Sequence, residues 1–481
     1  MIQTIGALTI GDLSSVVPLQ VNPVPWARAQ MAFTLAFHII LVPLGVSWAA
    51  MTLIANYRAI RRHDVDSLRL AQRWSKYMAV TFAVGAVTGT VLSFEFGLLW
   101  PQFMGKWGEA FGIPFAFEGL FFFVEAVFIS IYIFGWRRLK PWAHFWTGVP
   151  IPLAGILGSA SVVAANAWMN SPQGVTLDSS GNVTEVDPVG VILNDAMPLM
   201  AAHMIIAAYL VGGFMIASVY AVGMLRGRMD RYHRLGFIIS FTVAAVATPV
   251  QMGVGDGLAR WVYTNQPTKF AAIEMVPQTS SDVPEVLLGR LSSSGQVEGG
   301  VAIPGLASWL SDPSTGRATV IQGLDSFPAD GRPTISQVNI VHLCWDIMVG
   351  IGTLLFLFTL WYWASWIFRR DMPRSRWFLR AAAIAGPLSV VSMEAGWTLS
   401  EVGRQPWIVY NQMKVADAAT TNTGVWLTFV AVTLLYAALG TTLVLVLRAM
   451  SRRARDRDQF EDTDTPYGPT EPAAGPEVRT R

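Results

Sequence analysis

Long apolar stretches, separated by shorter polar segments, organise the chain from residue 29 to residue 447. Each stretch holds roughly twenty or more mostly apolar residues, the length at which an α-helix crosses the hydrocarbon core of a bilayer. Within lipid, a helix satisfies all its own backbone hydrogen bonds, so runs of this kind predict transmembrane helices. The sequence therefore predicts an all-α polytopic membrane protein with nine spans, at residues 29–56, 75–98, 114–135, 144–168, 198–223, 234–253, 339–367, 381–401 and 424–447.

Arginine is concentrated in every second connecting segment. Residues 57–73 carry five arginines, whereas residues 169–197 contain neither lysine nor arginine. Positively charged loops stay on the cytoplasmic side of a membrane. With an odd number of spans, this alternation places the N-terminus outside and the C-terminus in the cytoplasm.

The polar segments divide the chain into five parts. The outer loop at 254–338 is too long for a simple connector, and loops of this length are usually functional or disordered. The tail is rich in Asp, Glu, Arg and Pro, which predicts disorder. No basic region precedes the first apolar stretch, which argues against a cleaved signal peptide. The predicted parts are an outer segment at 1–25, spans one to six within 26–253, the outer loop at 254–338, spans seven to nine within 339–448, and a cytoplasmic tail at 449–481.

Composition agrees with a membrane protein and narrows the chemistry. The chain is 53% hydrophobic and 14% charged, whereas a soluble protein has about a quarter charged residues. Its one cysteine, Cys344, excludes an intrachain disulfide and a cysteine-based metal site. We expect no nucleic-acid partner.

Ionisable residues within the predicted spans are candidates for function, because burying them in lipid is costly. Several of them fall within about 15 Å of the outer face, counted along their helices. Histidine and methionine are axial ligands of haem iron, so Met348 joins the set. The candidates are His38, Glu95, Glu118, Glu125, His203, Asp346, Met348, Glu394 and Glu401.

Each candidate also has a simpler interpretation. An intramembrane histidine can serve only as a hydrogen-bonding group between helices, and a methionine in a span usually packs in the core. Glu118 and Glu125 share one helix face, which suggests a proton path, or else two buried protonated carboxyls. Glu401 could simply form an interfacial ion pair with Arg404.

Five blocks of sequence, in order, resemble subunit I of the cytochrome bd quinol oxidases. The resemblance extends from about Arg28 to Arg448, and the outer loop resembles the short-loop branch of the family. The blocks are "RAQMAFTLAFHIILVPLGV", "GAVTGTVLSFEFGLLWPQF", "FAFEGLFFFVEA", "ANAWMNSPQG" and "EVGRQPW".

The resemblance implies three haems. His203 and Met348 are similar to the axial ligands of a low-spin haem b that receives electrons from quinol. His38 and Glu401 resemble the axial ligands of two high-spin haems, one haem b and one haem d. Which of these two residues holds which haem stays open.

The resemblance also implies roles for the surrounding residues. Glu118 resembles a carboxylate beside the active-site haem, and Glu125 a proton donor on the path to it. Trp397 and Arg404 resemble supporting groups, with Arg404 suited to a haem propionate. In the outer loop, "KFAAIE" matches the family's quinol motif and implies Lys269 and Glu274 as quinol-binding residues.

One position departs from the family pattern. Many relatives have an arginine two residues before the methionine ligand, where this chain has Asp346. The potential and propionate pairing of the low-spin haem are therefore open.

The implied function is a respiratory quinol:oxygen oxidoreductase in the bacterial cytoplasmic membrane. Electrons would pass from quinol at the outer loop to the high-spin haems, where O2 becomes water, and charge would be separated without a pump. The expected partners are a homologous second large subunit and small single-span subunits. Two alternatives are a bd-like oxidase with haem b in place of haem d, and a haem-free proton-coupled transporter.

Overall fold

The computed structural model describes residues 22–460 and 467–468 of the chain. In chain order its helices are α1 (Pro23–Arg62), α2 (Val65–Leu99), α3 (Pro101–Gly135), α4 (Pro141–Gly148), α5 (Pro150–Asn170), α6 (Pro188–Ile192), α7 (Met197–Leu225), α8 (Arg231–Asn265), α9 (Pro267–Ile273), α10 (Leu306–Ser311), α11 (Ile335–Arg369), α12 (Arg376–Gly403), α13 (Val415–Ala418) and α14 (Val425–Phe460). The strands are β1 (Val175–Leu177), β2 (Val183–Val186), β3 (Glu285–Leu287), β4 (Arg290–Leu291), β5 (Val297–Glu298), β6 (Val301–Ile303), β7 (Trp407–Val409) and β8 (Met413–Lys414).

Nine helical spans in the described part of the chain are long and apolar enough to cross a membrane, which confirms the predicted number. The fourth span consists of α4 and α5, with a one-residue interruption at Val149 before Pro150. Polar side chains mark several helix starts. Asp64 caps α2, Asp230 caps α8, and Thr334 forms a reciprocal capping box with Gln337 at the start of α11.

Most of the helices extend beyond their predicted spans; α3, for example, begins at Pro101, thirteen residues before residue 114. α8 continues twelve residues past residue 253, to Asn265. Polar residues can continue a helix beyond its apolar window. Here Arg260 forms an ion pair with Asp256, one turn earlier, at 3.0 Å, and such a pair stabilises the helix. α14 likewise continues to Phe460, so the first twelve residues of the predicted disordered tail, 449–460, are helical. Residues 1–21, 461–466 and 469–481 lie outside the described residues.

The outer loop has a folded core of its own. β3 pairs with β6 and β4 with β5, both antiparallel, and β1 and β2 form a further hairpin after α5. Apolar residues of α9 and of this loop, including Phe270 and Val286, are buried against Val338 and Val341 at the start of α11. The loop is thus held over the C-terminal end of α8 and the N-terminal end of α11.

The helices pack as a bundle in which α1 occupies a central place. α1 runs along α2 and also contacts α5, α7 and α14, while α7 lies between α8 and α12. Aromatic residues fill one end of the core, where Trp74 Nε1 donates to Tyr220 Oη at 2.8 Å. Toward the other end the helices enclose a cavity.

Candidate functional site

One cavity of about 960 Å³ collects the functional candidates. Its wall draws on α1, α2, α3, α5, α7, α8, α9, α11 and α12. All ten residues that the family resemblance singled out line it: His38, Glu118, Glu125, His203, Lys269, Glu274, Met348, Trp397, Glu401 and Arg404. Side chains from distant parts of the sequence therefore face a common space.

His38 projects into this cavity from α1 with its ring orientation set by α2. Its Nδ1 lies 2.9 Å from Thr88 Oγ1, and that hydroxyl also lies 3.0 Å from the carbonyl oxygen of Gly85. Since the carbonyl can only accept, the hydroxyl donates to it and accepts from His38 Nδ1–H. This leaves the lone pair of Nε2 available for a metal.

A glycine provides the space against His38. A β-carbon on Gly89 would lie 3.2 Å from the Cε1 atom of His38, tighter than ordinary contact. At His203 the fit is looser, because a β-carbon on Gly255 would lie 3.4 Å from Cε1, an ordinary van der Waals distance. Gln251, one turn before Gly255, places its Nε2 3.1 Å from each ring nitrogen of His203.

Met348 is held against α12 in a comparable way. A β-carbon on Gly396 would lie 2.6 Å from Met348 Sδ, so a larger residue at 396 would displace the thioether. Ser392 Oγ donates to the Met348 carbonyl at 3.1 Å and fixes the neighbouring backbone. The two predicted low-spin ligands thus approach the cavity from α7 and α11, each packed against a glycine of a neighbouring helix.

Glu401 has a partner for each carboxylate oxygen. Asn166 Nδ2 donates to Oε1 at 2.6 Å, and Arg404 Nη2 donates to Oε2 at 2.6 Å. The ion pair considered as an alternative is therefore formed, with side chains that are 4% exposed at Arg404 and 23% exposed at Glu401. Arg404 Nε and Nη1 have no hydrogen-bond partner among the described residues. A buried guanidinium with two such donors suits the carboxylate of a prosthetic group.

Lys269 lies in α9, close to Arg404. Its Nζ donates to Asn170 Oδ1 at 3.0 Å, and a β-carbon on Gly403 would lie 3.0 Å from its Cγ. Burial lowers the pKa of Lys269 to about 7; the positive charge of Arg404 lowers it further, while Glu401 opposes the shift.

Glu274 ends α9 and is 6% exposed. Its Oε2 has no partner among the described residues. Burial raises the pKa of Glu274 well above its ordinary value, and the carboxyls of Glu285 and Asp346 raise it further. Lys269 and Glu274 are thus two buried groups of one short helix and its C-cap. Burial favours the uncharged form of each, because it lowers the pKa of Lys269 and raises the pKa of Glu274.

Asp346 faces the outer loop. Its Oδ2 accepts from the Leu288 backbone N–H at 2.7 Å and lies 3.3 Å from His342 Nε2. His342 Nδ1 donates to the Ile273 carbonyl at 2.7 Å. Asp346 therefore ties α11 to the loop.

The carboxylates of α3 mark the wall beside α1 and α5. Glu125 Oε1 lies 3.5 Å from the position that a β-carbon of Gly155 would take, and Val46 of α1 lies beside the same position. Glu118 and Trp397 line the cavity as well.

Several residues of the site were not singled out from the sequence. They are Thr88, Asn166, Asn170, Gln251 and the three glycines at 89, 255 and 396. Asn166 and Asn170 stand one turn apart in the quoted block "ANAWMNSPQG", so two amides at helical spacing in an apolar span were a usable signal. The glycines carry no such signal, because their role depends on a neighbouring helix.

The donors are spread over different helices. No group of three or more His, Cys, Asp or Glu side chains in the described ranges could hold a metal ion by itself. Isolated His, Met and Glu donors facing one cavity instead fit axial ligation, in which a porphyrin supplies the equatorial nitrogens. The glycine-backed ligands and the partnerless nitrogens of Arg404 fit such a group.

Among the described residues, nine spans form a bundle in which one cavity gathers axial-type donors, a buried arginine, a buried lysine and a buried glutamate. These features define a polytopic membrane redox protein. The profile of the family described as "Cytochrome bd terminal oxidase subunit I" matches residues 26–455. The chain belongs to this family.

Individual relatives agree. "Putative cytochrome bd menaquinol oxidase subunit I" of Bacillus subtilis (strain 168) is 33% identical over 430 residues, covering 88% of this chain and 95% of that protein. "Cytochrome bd ubiquinol oxidase subunit 1" of the same organism is 28% identical over 461 residues, covering 92% and 96%. A chain in "The structure of bd oxidase from Geobacillus thermodenitrificans" matches with a TM-score of 0.83 and 34% identity, covering 90% of this chain and 99% of that one.

These matches confirm the predicted family, the nine-helix fold and the quinol:oxygen oxidoreductase class. The chain is a multi-pass membrane protein of a haem-containing respiratory oxidase family. Membership excludes the haem-free transporter that the spans alone left open.

Proposed function

We propose that this chain carries two b-type haems and one haem d, and couples quinol oxidation at the outer face to reduction of O2 to water. The observation that carries the proposal is the single cavity shared by His38, His203, Met348 and Glu401 with Lys269 and Glu274. When bound, haem supplies iron centres that accept electrons and bind oxygen.

His203 and Met348 would hold the low-spin haem b. A nitrogen donor from α7 and a thioether donor from α11 would suit a haem iron that transfers electrons. Gly396 supports this role, since a β-carbon there would lie 2.6 Å from Met348 Sδ and would displace the thioether.

His38 and Glu401 would hold the two high-spin haems. The Thr88 hydroxyl keeps His38 in the tautomer that presents Nε2. Asn166 and Arg404 hold the Glu401 carboxylate in place, while the remaining donors of Arg404 would bind a propionate. Trp397 lines the same space.

Quinol would bind at α9. Glu274 would accept a proton from a quinol hydroxyl, which suits a buried carboxyl whose pKa is raised. Lys269 would hydrogen-bond the oxygen of the quinol ring. The relatives' names divide between menaquinol and ubiquinol, so both substrates belong in the test.

Protons for oxygen reduction would travel the other way. Glu125 would receive them from the cytoplasmic side and pass them to Glu118, about 10 Å further along the same face of α3. Protons from quinol would leave at the outer face. Charge is then separated across the bacterial cell membrane without a pump, with the N-terminus outside and the C-terminus in the cytoplasm.

The chain would act within a larger complex. In their apolar windows only 17% of residues in α3 and in α11, and 11% in α14, are buried within the chain. Such apolar faces suit lipid and further membrane helices, and a homologous second large subunit with small single-span subunits would cover part of them.

The test is a reduced-minus-oxidised spectrum of the purified complex, with pyridine haemochrome analysis and oxygen consumption on ubiquinol and menaquinol analogues. We expect haem b and haem d in a two-to-one ratio and turnover with at least one quinol. Haem b alone would favour the bd-like oxidase without haem d. A complex that holds haem but consumes no oxygen with either quinol would overturn the proposal.

A further inference from the structure

Two residues of the C-terminal tail return to the bundle. Tyr467 Oη lies 2.9 Å from Asn56 Oδ1, 3.0 Å from the Pro141 carbonyl oxygen and 3.1 Å from His144 Nδ1. Its ring lies 5.2 Å from that of Trp136, and the Gly468 N–H donates to the Trp136 carbonyl at 3.0 Å. Tyr467 and Gly468 therefore cover the cytoplasmic ends of α1, α3 and α4.

The groups beneath the tail are buried and polar. Asn56, Tyr132 and His144 are almost completely buried. Asn56 Nδ2 donates to Tyr132 Oη at 2.8 Å, and His144 Nε2–H donates to the Tyr132 carbonyl at 2.7 Å. Since Nε2 carries the proton of neutral His144, its Nδ1 presents a lone pair to Tyr467.

The tail hydroxyl has one proton and three acceptors around it. Only one of these acceptors can receive that proton in a strong hydrogen bond. A proton added to His144 Nδ1 turns one acceptor into a donor, and the hydroxyl can then accept from His144 while donating to Asn56 or Pro141. The cluster can thus take up one proton without losing a hydrogen bond.

A buried hydroxyl lies on the side of this cluster that faces Glu125 and the cavity. Thr52 is one helical turn from Asn56 on α1, is 1% exposed, and its Oγ1 has no partner in the described part of the chain. Further along α1, about 15 Å from Asn56, Val46 lies next to Gly155, beside the Glu125 carboxyl at the cavity wall. Thr52 therefore stands between the cluster under the tail and Glu125.

We propose that Tyr467 and His144 form the proton-collecting site of the route that supplies Glu125, with Thr52 as an inner carrier. The inference rests on the proposed function, in which Glu125 receives protons for oxygen reduction. A proton from cytoplasmic water binds at the Tyr467–His144 pair. Another proton leaves the cluster toward Glu125 through Thr52 and intervening water, so the cluster ends unchanged. The titratable groups in contact are Tyr132, His144 and Tyr467, and Arg137, Arg138 and Lys140 lie on the adjoining loop.

The test separates proton collection from packing. Tyr467→Phe removes the hydroxyl and keeps the ring against Trp136. We expect proton uptake, followed with a pH-indicator dye after the reduced complex is mixed with oxygen, to slow on the order of 10-fold, less than loss of a full acid–base catalyst because water can replace part of the hydroxyl. Haem spectra and anaerobic haem reduction by quinol should match the wild type. A chain ending at Gly468 keeps Tyr467 and should take up protons normally.

A second pair of variants covers the case in which Tyr467→Phe fails to assemble. Thr52→Val keeps the shape of the side chain without the hydroxyl and should slow uptake, whereas Thr52→Ser should not. Wild-type uptake in Tyr467→Phe, or in Thr52→Val if only that variant assembles, would overturn the inference. Loss of quinol-driven haem reduction in the wild type would instead count against the proposed function.

Discussion

Arg404 donates to Glu401 at 2.6 Å from a position that is only 4% exposed, and two of its other nitrogens have no partner among the described residues. The pair therefore differs from a surface ion pair, which is worth about 0–1 kcal/mol. Removing one member of a buried pair leaves an uncompensated charge, at a cost of about 3–5 kcal/mol.

Glu401→Ala should lose or perturb a high-spin haem, because both the proposed ligand and the partner of Arg404 disappear. The low-spin haem should stay reducible by quinol. Pyridine haemochrome content and the reduced spectrum measure both effects. The matched control is Glu298→Ala, which breaks an exposed pair with Arg290 at 3.1 Å and should change neither. Normal haem content and normal oxygen reduction in Glu401→Ala would show that Glu401 only forms an ion pair with Arg404 and does not hold a haem.

His203→Ala and Met348→Leu should each remove one low-spin b-type haem or convert it to high spin, since six-coordination needs both donors. Quinol oxidase activity should collapse in both variants. Low-temperature spectra and electron paramagnetic resonance report the spin state. If both variants kept an unaltered low-spin signal, the ligand assignment would be wrong.

Gly396→Ala tests the same haem without touching a ligand. The new β-carbon would lie 2.6 Å from Met348 Sδ, so the thioether must move. We expect partial loss of the low-spin spectrum. Gly350→Ala provides the control, because a β-carbon there meets nothing within 4 Å. Equal low-spin content in the two variants would show that Met348 tolerates displacement or is not a ligand.

The sequence predicted which residues would lie together at the site, from their positions along the predicted spans. His38, His203 and Met348 each lie within a few turns of the outer end of a predicted span. The rise of the helix therefore predicts that all three lie within about 15 Å of the outer membrane face. Hydropathy did not reveal where helices end, since α8 stays helical through Asp256 and Arg260 outside the apolar window. The supporting glycines and the partners of Asp346 could not be predicted, because they depend on contacts between distant segments.

Glu274→Gln should lower quinol turnover while all haems remain, because an amide cannot accept the substrate proton. The measurement is steady-state oxygen consumption with quinol, alongside haem content. Glu185→Gln, on the exposed hairpin strand β2, should behave as wild type. Unchanged turnover in Glu274→Gln would move the quinol site elsewhere.

Lys269 should make quinol binding depend on pH. Its pKa is lowered to about 7, so its positive charge is present below about pH 7 and is lost as pH rises through that value. If the charge helps hold the quinol oxygen, the KM for quinol should rise above pH 7 in the wild type. Lys269→Gln should have a high KM with this pH step removed, as measured by initial rates between pH 6 and pH 8.5. A wild-type pH profile in Lys269→Gln would assign the titration to another group.

The cavity wall also bears on how the subunit matures. It draws on residues from Arg28 in α1 to Val415 at the start of α13, so it cannot close until nearly the whole chain has been synthesised and inserted. Trp397 and Glu401 lie on the eighth span, which is the last transmembrane helix of the wall to be synthesised. We therefore expect haem loading to be a late step of biogenesis, completed once α12 has packed against α7 and α11.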